Sequence, residues 1–383
     1  VVEPIPIAFL LTSCDAGGTE RQMIELIRRL DRDRWGVHVA CLKARGRWLA
    51  RVSAAAESFE EFPVRSFRSS SALRSGRSFV RWLGARGIAL LHTSDVYANI
   101  FGLPAAALAR VPVRVGNRRG VNQDRSAAYL VLQRAAYACA HVVVANSTFL
   151  ARRLRREGVP ARKIVVVPNG LEVAAFTPAP ARSLRRRVFM VANLRPEKGH
   201  DLLVSAAARV IRQFPDAHFT LVGDGPARGA LGAQIAAHAL EHAFSLLGER
   251  DDVPALLAEA DIAVLPSRTE SMPNAVLEAM AAGLPVIATH VGGIPDIVEH
   301  MRTGLLIPPE DPAALAAQIS ALMGNPSLAA RLGAAARAEV RARFSFERMV
   351  SSVDALYVRE LARRGVIRAQ DSRNASCVGS PAS

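Results

Sequence analysis

Short apolar runs alternate with longer amphipathic stretches along most of the chain, and this alternation constrains the fold more than any other feature. Short strands buried on both faces belong to parallel sheets, and the stretches between them have the length of crossover helices. In the first half the runs are residues 5–11, 37–42, 89–91, 113–115, 141–145 and 164–167. In the second half they are residues 188–192, 218–222, 244–247, 262–265, 285–289 and 305–307. The pattern predicts an α/β chain with two doubly wound sheets of about six strands each. Thr19 opens a helix over 21–30, and Asp201 opens another over 202–214 that Pro215 stops. The segment 176–187, with Pro178, Pro180 and a run of Arg, has no apolar period and reads as a linker. The expected domains are therefore 1–178 and 179–345, followed by a helix over 346–362. The tail, 363–383, turns small and polar from Ala369 and is expected to be disordered.

A chain of 383 residues, half of them apolar, buries two cores without a disulfide or a structural metal. Cys14, Cys41, Cys139 and Cys377 are too far apart for a CxxC pair, so a reducing cytosol is the expected setting. Runs such as 135–145 and 275–289 are interrupted before they reach the ~18–20 residues that a membrane span needs. The charge is uneven. Residues 1–187 carry 31 Lys and Arg against 13 Asp and Glu, whereas residues 188–383 carry 18 against 21. A basic half points to phosphate-rich material, either anionic lipid headgroups or nucleic acid. Solvated basic faces with no partner are the plain alternative.

Doubly wound sheets bind ligands beyond the carboxyl ends of their strands, so the residues that follow each apolar run carry the chemistry. After 5–11, Gly17 and Gly18 open a helix and permit a close backbone approach to an anion. After 188–192 comes Asn193-Leu194-Arg195-Pro196-Glu197-Lys198-Gly199-His200, in which Arg195 and Lys198 place two positive charges on one short loop, a grip for a diphosphate. After 218–222, the turn Gly223-Asp224-Gly225-Pro226-Ala227-Arg228-Gly229 nearly matches the dinucleotide fingerprint but has Arg228 at the third glycine's place, which weakens a nicotinamide reading. After 262–265, Glu270 lies in a loop and Glu278 on a helix that Asn274 is placed to cap. The two carboxylates, at most about 12 Å apart along a helix, suit hydroxyls at separate points of one extended ligand. After 285–289, Gly292-Gly293-Ile294-Pro295 offers backbone donors.

Taken in order, Arg195-Pro196-Glu197-Lys198-Gly199, Gly223-Asp224-Gly225-Pro226, Glu270 with Glu278, and Gly292-Gly293 resemble the retaining glycosyltransferases of family 4 (glycosyl transferases group 1). The resemblance spans about 5–361 and is strongest over 164–310. It implies the GT-B fold, two Rossmann-like domains facing across a cleft, with the first receiving the acceptor, the second the nucleotide sugar, and the last helix crossing back to the first. It also implies that Arg195 and Lys198 hold the donor diphosphate, Glu270 contacts the donor sugar and Glu278 the ribose. Arg250 would lie beside the base. Asn274, Gly223, Gly292 and Gly293 would line the nucleotide-sugar site, and Gly17 and Gly18 would bring the first domain onto the diphosphate. The family's histidine motif reads Leu91-His92-Thr93-Ser94-Asp95-Val96-Tyr97, leaving His92 and Asp95 as alternative contacts for the sugar.

The resemblance implies transfer of a sugar from a nucleotide-diphosphate sugar, a uridine diphosphate sugar in the leading reading, to a lipid-linked or polysaccharide acceptor, in cell-envelope or exopolysaccharide synthesis. The nucleotide sugar is a substrate, and no cofactor or metal is expected. The triplet Asp31-Arg32-Asp33 lies at the wrong end of its strand for a metal-diphosphate site. Arg118, Arg119, Arg125 and the cluster from Arg152 to Lys163 would face the acceptor or an anionic membrane, with Tyr129, Phe149 and Leu150 as apolar contacts. The chain would then work in the cytoplasm, peripheral on the inner face of the membrane. A nucleotide-sugar 2-epimerase of the same architecture is the competing enzyme, and a nucleic-acid-binding protein the competing non-enzyme; low aromatic content and the lack of a recognition motif count against specific nucleic-acid binding.

Overall fold

A computed structural model describes residues 3–15, 17–67, 69–121, 127–177 and 185–368. Most of the expected linker, the tail from residue 369 and Arg125 lie outside these. The described residues of Val1–Gly170 with Phe346–Ser383 form one compact unit, and those of Leu171–Ser345 the other. The division falls at Gly170–Leu171, whereas the sequence pattern places it at 178.

The first unit holds a seven-stranded parallel sheet: β1 (Ile5–Leu11), β2 (Trp35–Cys41), β3 (Ser58–Glu61), β4 (Leu90–Thr93), β5 (Val113–Arg118), β6 (Val142–Ala145) and β7 (Ile164–Val166), in the order β3-β2-β1-β4-β5-β6-β7. The second holds six: β8 (Arg187–Val191), β9 (His218–Val222), β10 (Phe244–Leu246), β11 (Ile262–Leu265), β12 (Val286–Thr289) and β13 (Leu305–Ile307), ordered β10-β9-β8-β11-β12-β13. Each sheet therefore reverses direction once, between β1 and β4 and between β8 and β11. Residues Ile7–Leu10 pair with Leu90–Thr93 across the first reversal, and Val188 pairs with Ile262 across the second.

The central strands are aliphatic because helices cover both faces. Residues 7–10 of β1 and all of β4, β6, β11 and β12 are buried. The seventh strand, β3, is the one the sequence reading misses. Its residues Ser-Phe-Glu-Glu sit at the sheet edge with one neighbour and half their surface in water, so no apolar run marks it.

The helix Phe346–Ala362 belongs to the first unit. Phe346, Met349, Val353, Leu356, Tyr357 and Leu361 recur at helical spacing and share a core with Ile7, Phe9, Trp35 and Val37. Asp354 fixes its register: one oxygen accepts from Trp35 Nε1 at 2.6 Å and the other from Arg34 at 2.8 Å. Among the described residues no helix is long and apolar enough to cross a membrane.

Candidate active site

In the second unit the crossovers from β8 and β11 leave in opposite directions and open a crevice beyond their carboxyl ends. Backbone contacts close its floor. Gly199 has φ +73°, and a Cβ there would stand 2.1 Å from the Pro266 carbonyl oxygen. Gly292 has φ +57°, and its Cβ would stand 1.8 Å from the Glu270 carbonyl oxygen. Only glycine permits both approaches, so the loops after β8 and β12 rest on the loop after β11. Arg268 clamps them from the side. Its guanidinium binds both Asp201 carboxylate oxygens at 2.8 and 2.7 Å and donates to the Pro196 carbonyl at 2.6 Å. Its backbone amide donates to Glu197 at 2.8 Å. The paired guanidinium holds Asp201 below the usual carboxylate range.

This frame brings Lys198 and Glu270 together. Lys198 Nζ donates to Glu270 Oε1 at 2.6 Å, and Ser267 Oγ donates to the same oxygen at 2.9 Å. Glu270 is 7% exposed, and the Lys198 side chain is 24% exposed. A buried carboxylate is tolerable only with such partners. Ser267 is itself oriented by Thr289, whose hydroxyl donates to the Ser267 carbonyl. Arg195, on the same loop as Lys198, is exposed, and its side chain makes no hydrogen bond or ion pair among the described residues. The crevice thus presents one fixed, internally balanced charge pair and one uncommitted guanidinium, an arrangement suited to an incoming anion.

The other expected residues divide. Glu278 lies buried in the second turn of the helix Asn274–Ala281. Asn274 is not at the cap position of that helix: Pro273 holds it, and Asn274 is the first helical residue. Gly223 seats the turn after β9, where its amide donates to the Gly248 carbonyl at 2.8 Å. The amides of Gly293 and Ile294 are likewise taken, by Glu270 and Val291. Arg250 is on the surface, spent on Asp252 at 2.7 and 2.5 Å.

In the first unit the corresponding edge is acidic. Thr12, the first residue beyond β1, donates to Asp95 Oδ1 at 2.7 Å, and the same oxygen caps the helix Val96–Leu108 by accepting from the amides of Tyr97 and Ala98. Glu20 sits beside the Gly17 backbone, and burial, aided by Asp95 and Asp15, pushes its carboxyl above the ordinary range. The amide of Gly17 is donated to Asp15, and Gly18 is the first residue of its helix.

His92 is not at this edge. It is 0% exposed, its Nδ1 lies 2.5 Å from the Tyr357 hydroxyl, and its ring packs against Phe9 and Tyr357. Burial drives its pKa down to about 3, so it is neutral. A ring with no solvent-facing atom holds the terminal helix in place and does not reach a sugar, which corrects its catalytic reading. Arg118 and Arg119 are corrected in the same way. Arg118 is buried on Gly120 and Glu157, and Arg119 on Asn169, so neither faces a lipid. Asp31-Arg32-Asp33 precedes β2, and among the described residues no group of three or more His, Cys, Asp or Glu is placed to hold a metal ion.

The sequence of this edge-and-loop arrangement matches known proteins over both units. Residues 16–175 match the family model Glycosyltransferase Family 4, and residues 185–325 match Glycosyl transferases group 1. A D-inositol 3-phosphate glycosyltransferase of Salinispora arenicola is 32% identical over 329 residues, 78% of this chain and 69% of that protein. The chain belongs to glycosyltransferase family 4. Another relative, the amylovoran biosynthesis glycosyltransferase AmsK of Erwinia amylovora, is 34% identical over 49% of each chain. The chain spans about half the length of several of its curated relatives. The fold is that of GT-B proteins. The structure of Anabaena Alr3699/HepE, solved in complex with UDP, superposes with a TM-score of 0.83 at 24% identity, covering 92% of this chain and 100% of that one. In this family-4 chain the Lys198–Glu270 pair and Arg195 stand beyond the carboxyl ends of the strands of the second GT-B sheet.

Proposed function

We propose that the chain is a retaining glycosyltransferase that takes a sugar from a uridine diphosphate sugar and passes it to a lipid-linked or polysaccharide acceptor in exopolysaccharide synthesis. The observation that carries this reading is the pairing of Lys198 with buried Glu270 on the loop of Arg195, whose side chain has no partner among the described residues. Family membership and the names of its relatives support the reaction class and the polysaccharide setting, and UDP bound to HepE supports the base. Arg195 and Lys198 hold the diphosphate, Glu270 contacts the sugar and Glu278 the ribose. The acceptor hydroxyl attacks the anomeric carbon from the side of the departing diphosphate. As the new C–O bond forms, the old one breaks, and the hydroxyl proton passes to the leaving phosphate oxygen. The side chains supply charge and position: Arg195 and Lys198 offset the negative charge that grows on the leaving group. Transfer proceeds without a metal, and the enzyme works against the inner face of the membrane.

The test is calorimetry with uridine, guanosine and adenosine diphosphates in the presence of a chelator, on the parent, Lys198→Ala and Glu278→Ala. Tight uridine diphosphate binding that both variants lose is expected. Binding of none of the three overturns the metal-free donor site. Turnover of donor with no acceptor present would assign the chain to the epimerases instead.

A further inference from the structure

We infer that the paired helices Ala127–Cys139 and Thr148–Arg156 form the face on which the protein lies against an anionic bilayer. The inference rests on the lipid-linked acceptor of the preceding proposal for its purpose, and it names the surface and the partner. Both helices pack inward on one shared core, through Ala136 and Tyr137 from the first and Leu150, Ala151 and Leu154 from the second. Two contacts tie the C-terminal half of the first helix to the segment that follows the second. A Cβ on Gly158, just beyond the second helix, would stand 2.6 Å from the Arg134 guanidinium, and Lys163 donates to the Ala138 and Ala140 carbonyls that end the first. Phe149 and Leu150, expected from sequence as the apolar contacts, are instead part of this core.

What remains on the outside has the composition of a membrane-surface helix pair. Leu130, Val131 and Leu132 are 37, 63 and 48% exposed, a run of three aliphatic residues that the core does not use. Arg134, Arg152, Arg155 and Arg156 are exposed alongside. Neither helix contains Asp or Glu, and the first carboxylate beyond them, Glu157, is taken by Arg118 and Arg153. Cations without counterions among the described residues, on helices that also expose aliphatics, match a surface that is negative outside and apolar beneath. Nucleic acid supplies only the first of these, so the aliphatic run decides for the bilayer.

The experiment is co-sedimentation of the full chain with vesicles of phosphatidylethanolamine and phosphatidylglycerol, and with phosphatidylcholine vesicles as the neutral control. The parent is expected to sediment with the anionic vesicles and to remain in solution with the neutral ones. Removing two charges by Arg155→Gln with Arg156→Gln is expected to lower partitioning roughly thirtyfold, from about 1 kcal/mol per basic residue at the surface. Val131→Asp with Leu132→Ser is expected to lower it at least tenfold with unchanged circular dichroism. Uridine diphosphate affinity, read on the same samples, is expected to be unchanged in both pairs, so a failed donor site and a failed membrane face give different results. A parent that stays in solution with anionic vesicles overturns the inference. So does binding that ignores residues 131 and 132 while DNA competes for it, or a self-associating parent that Val131→Asp renders monomeric.

Discussion

The two sheets share a topology, yet the edges at their reversal points are chemically opposite. Beyond β8 and β11 stand Lys198, Arg195 and the clamped Arg268, with Glu270 balanced by the lysine. Beyond β1 and β4 stand Asp95, Glu20 and the hydroxyl of Thr12. A cationic edge favours a diphosphate, and an acidic edge with hydroxyls favours a neutral, hydroxyl-rich molecule and disfavours a second anion. On the proposed function, one topology repeated with opposite charge separates the phosphate-holding unit from the sugar-receiving one. The basic charge of the whole first half does not predict these carboxylates, whose neighbour Asp15 has Arg45 at 4.0 Å.

Lys198→Ala is the largest expected break of the contrast. It leaves Glu270 buried without its cation, with a predicted loss of about 3 kcal/mol in urea unfolding, the low end for a broken buried pair because the lysine side chain is partly exposed. Turnover is expected to fall roughly 100- to 1,000-fold, the scale for removing one charge-stabilising group. Lys198→Met combined with Glu270→Gln should recover most of the stability and none of the uridine diphosphate binding. Recovery of both would show that the pair only props the fold. Gly292→Ala comes next. Its Cβ would overlap the Glu270 carbonyl at a φ of +57°, so the loop must move and take Glu270 with it. A loss of about 1–3 kcal/mol in thermal unfolding is expected, with weakened donor binding; an unchanged donor affinity would detach Glu270 from the site.

These two residues also mark how far sequence reaches. Arg195, Lys198, Glu270 and the Gly292-Gly293 pair are legible because each directly follows an aliphatic strand and its chemistry is local. Twelve of the thirteen strands are legible for the same reason. What fails depends on three-dimensional neighbours. Arg118 is buried against Glu157, 39 positions away. His92 is buried by Tyr357, 265 positions away, and no local pattern announces that partner. Arg268 reads as an ordinary loop arginine until Asp201 and Pro196 are seen around it.

The pH dependence sharpens the comparison from another side. His92, at about 3, and His141 and His200, each at about 4, lie below their ordinary 6.5 in the folded state, chiefly through burial. In that window the unfolded chain binds more protons, so stability is complete above pH 6.5 and is lost as the pH falls toward 3. Glu20 acts with the opposite sign. Its folded pKa is raised above 4.5, so the folded state holds the proton longer, and stability contributed by this group declines as pH rises through that window. His92→Gln should flatten the acid limb by up to about 1.4 kcal/mol per pH unit, measured by urea unfolding from pH 4 to 7. Glu20→Gln should remove the opposing slope. An unchanged limb in the histidine variant would mean that His92 reaches solvent.

Asp95→Ala gives the smallest expected effect and isolates the acidic edge. The substitution removes the acceptor for the Tyr97 and Ala98 amides and for Thr12, which leaves the first turn of the helix Val96–Leu108 uncapped at a cost of about 1 kcal/mol in thermal unfolding. Uridine diphosphate affinity should be unchanged, because the proposed phosphate grip lies in the other unit, while the acceptor's KM rises. Asp95→Asn keeps one side-chain oxygen and should restore the cap without restoring the charge. If the asparagine variant recovers stability but not KM, the carboxylate receives a hydroxyl of the acceptor. If it recovers both, the residue is a helix cap alone and the acidic character of this edge rests on Glu20.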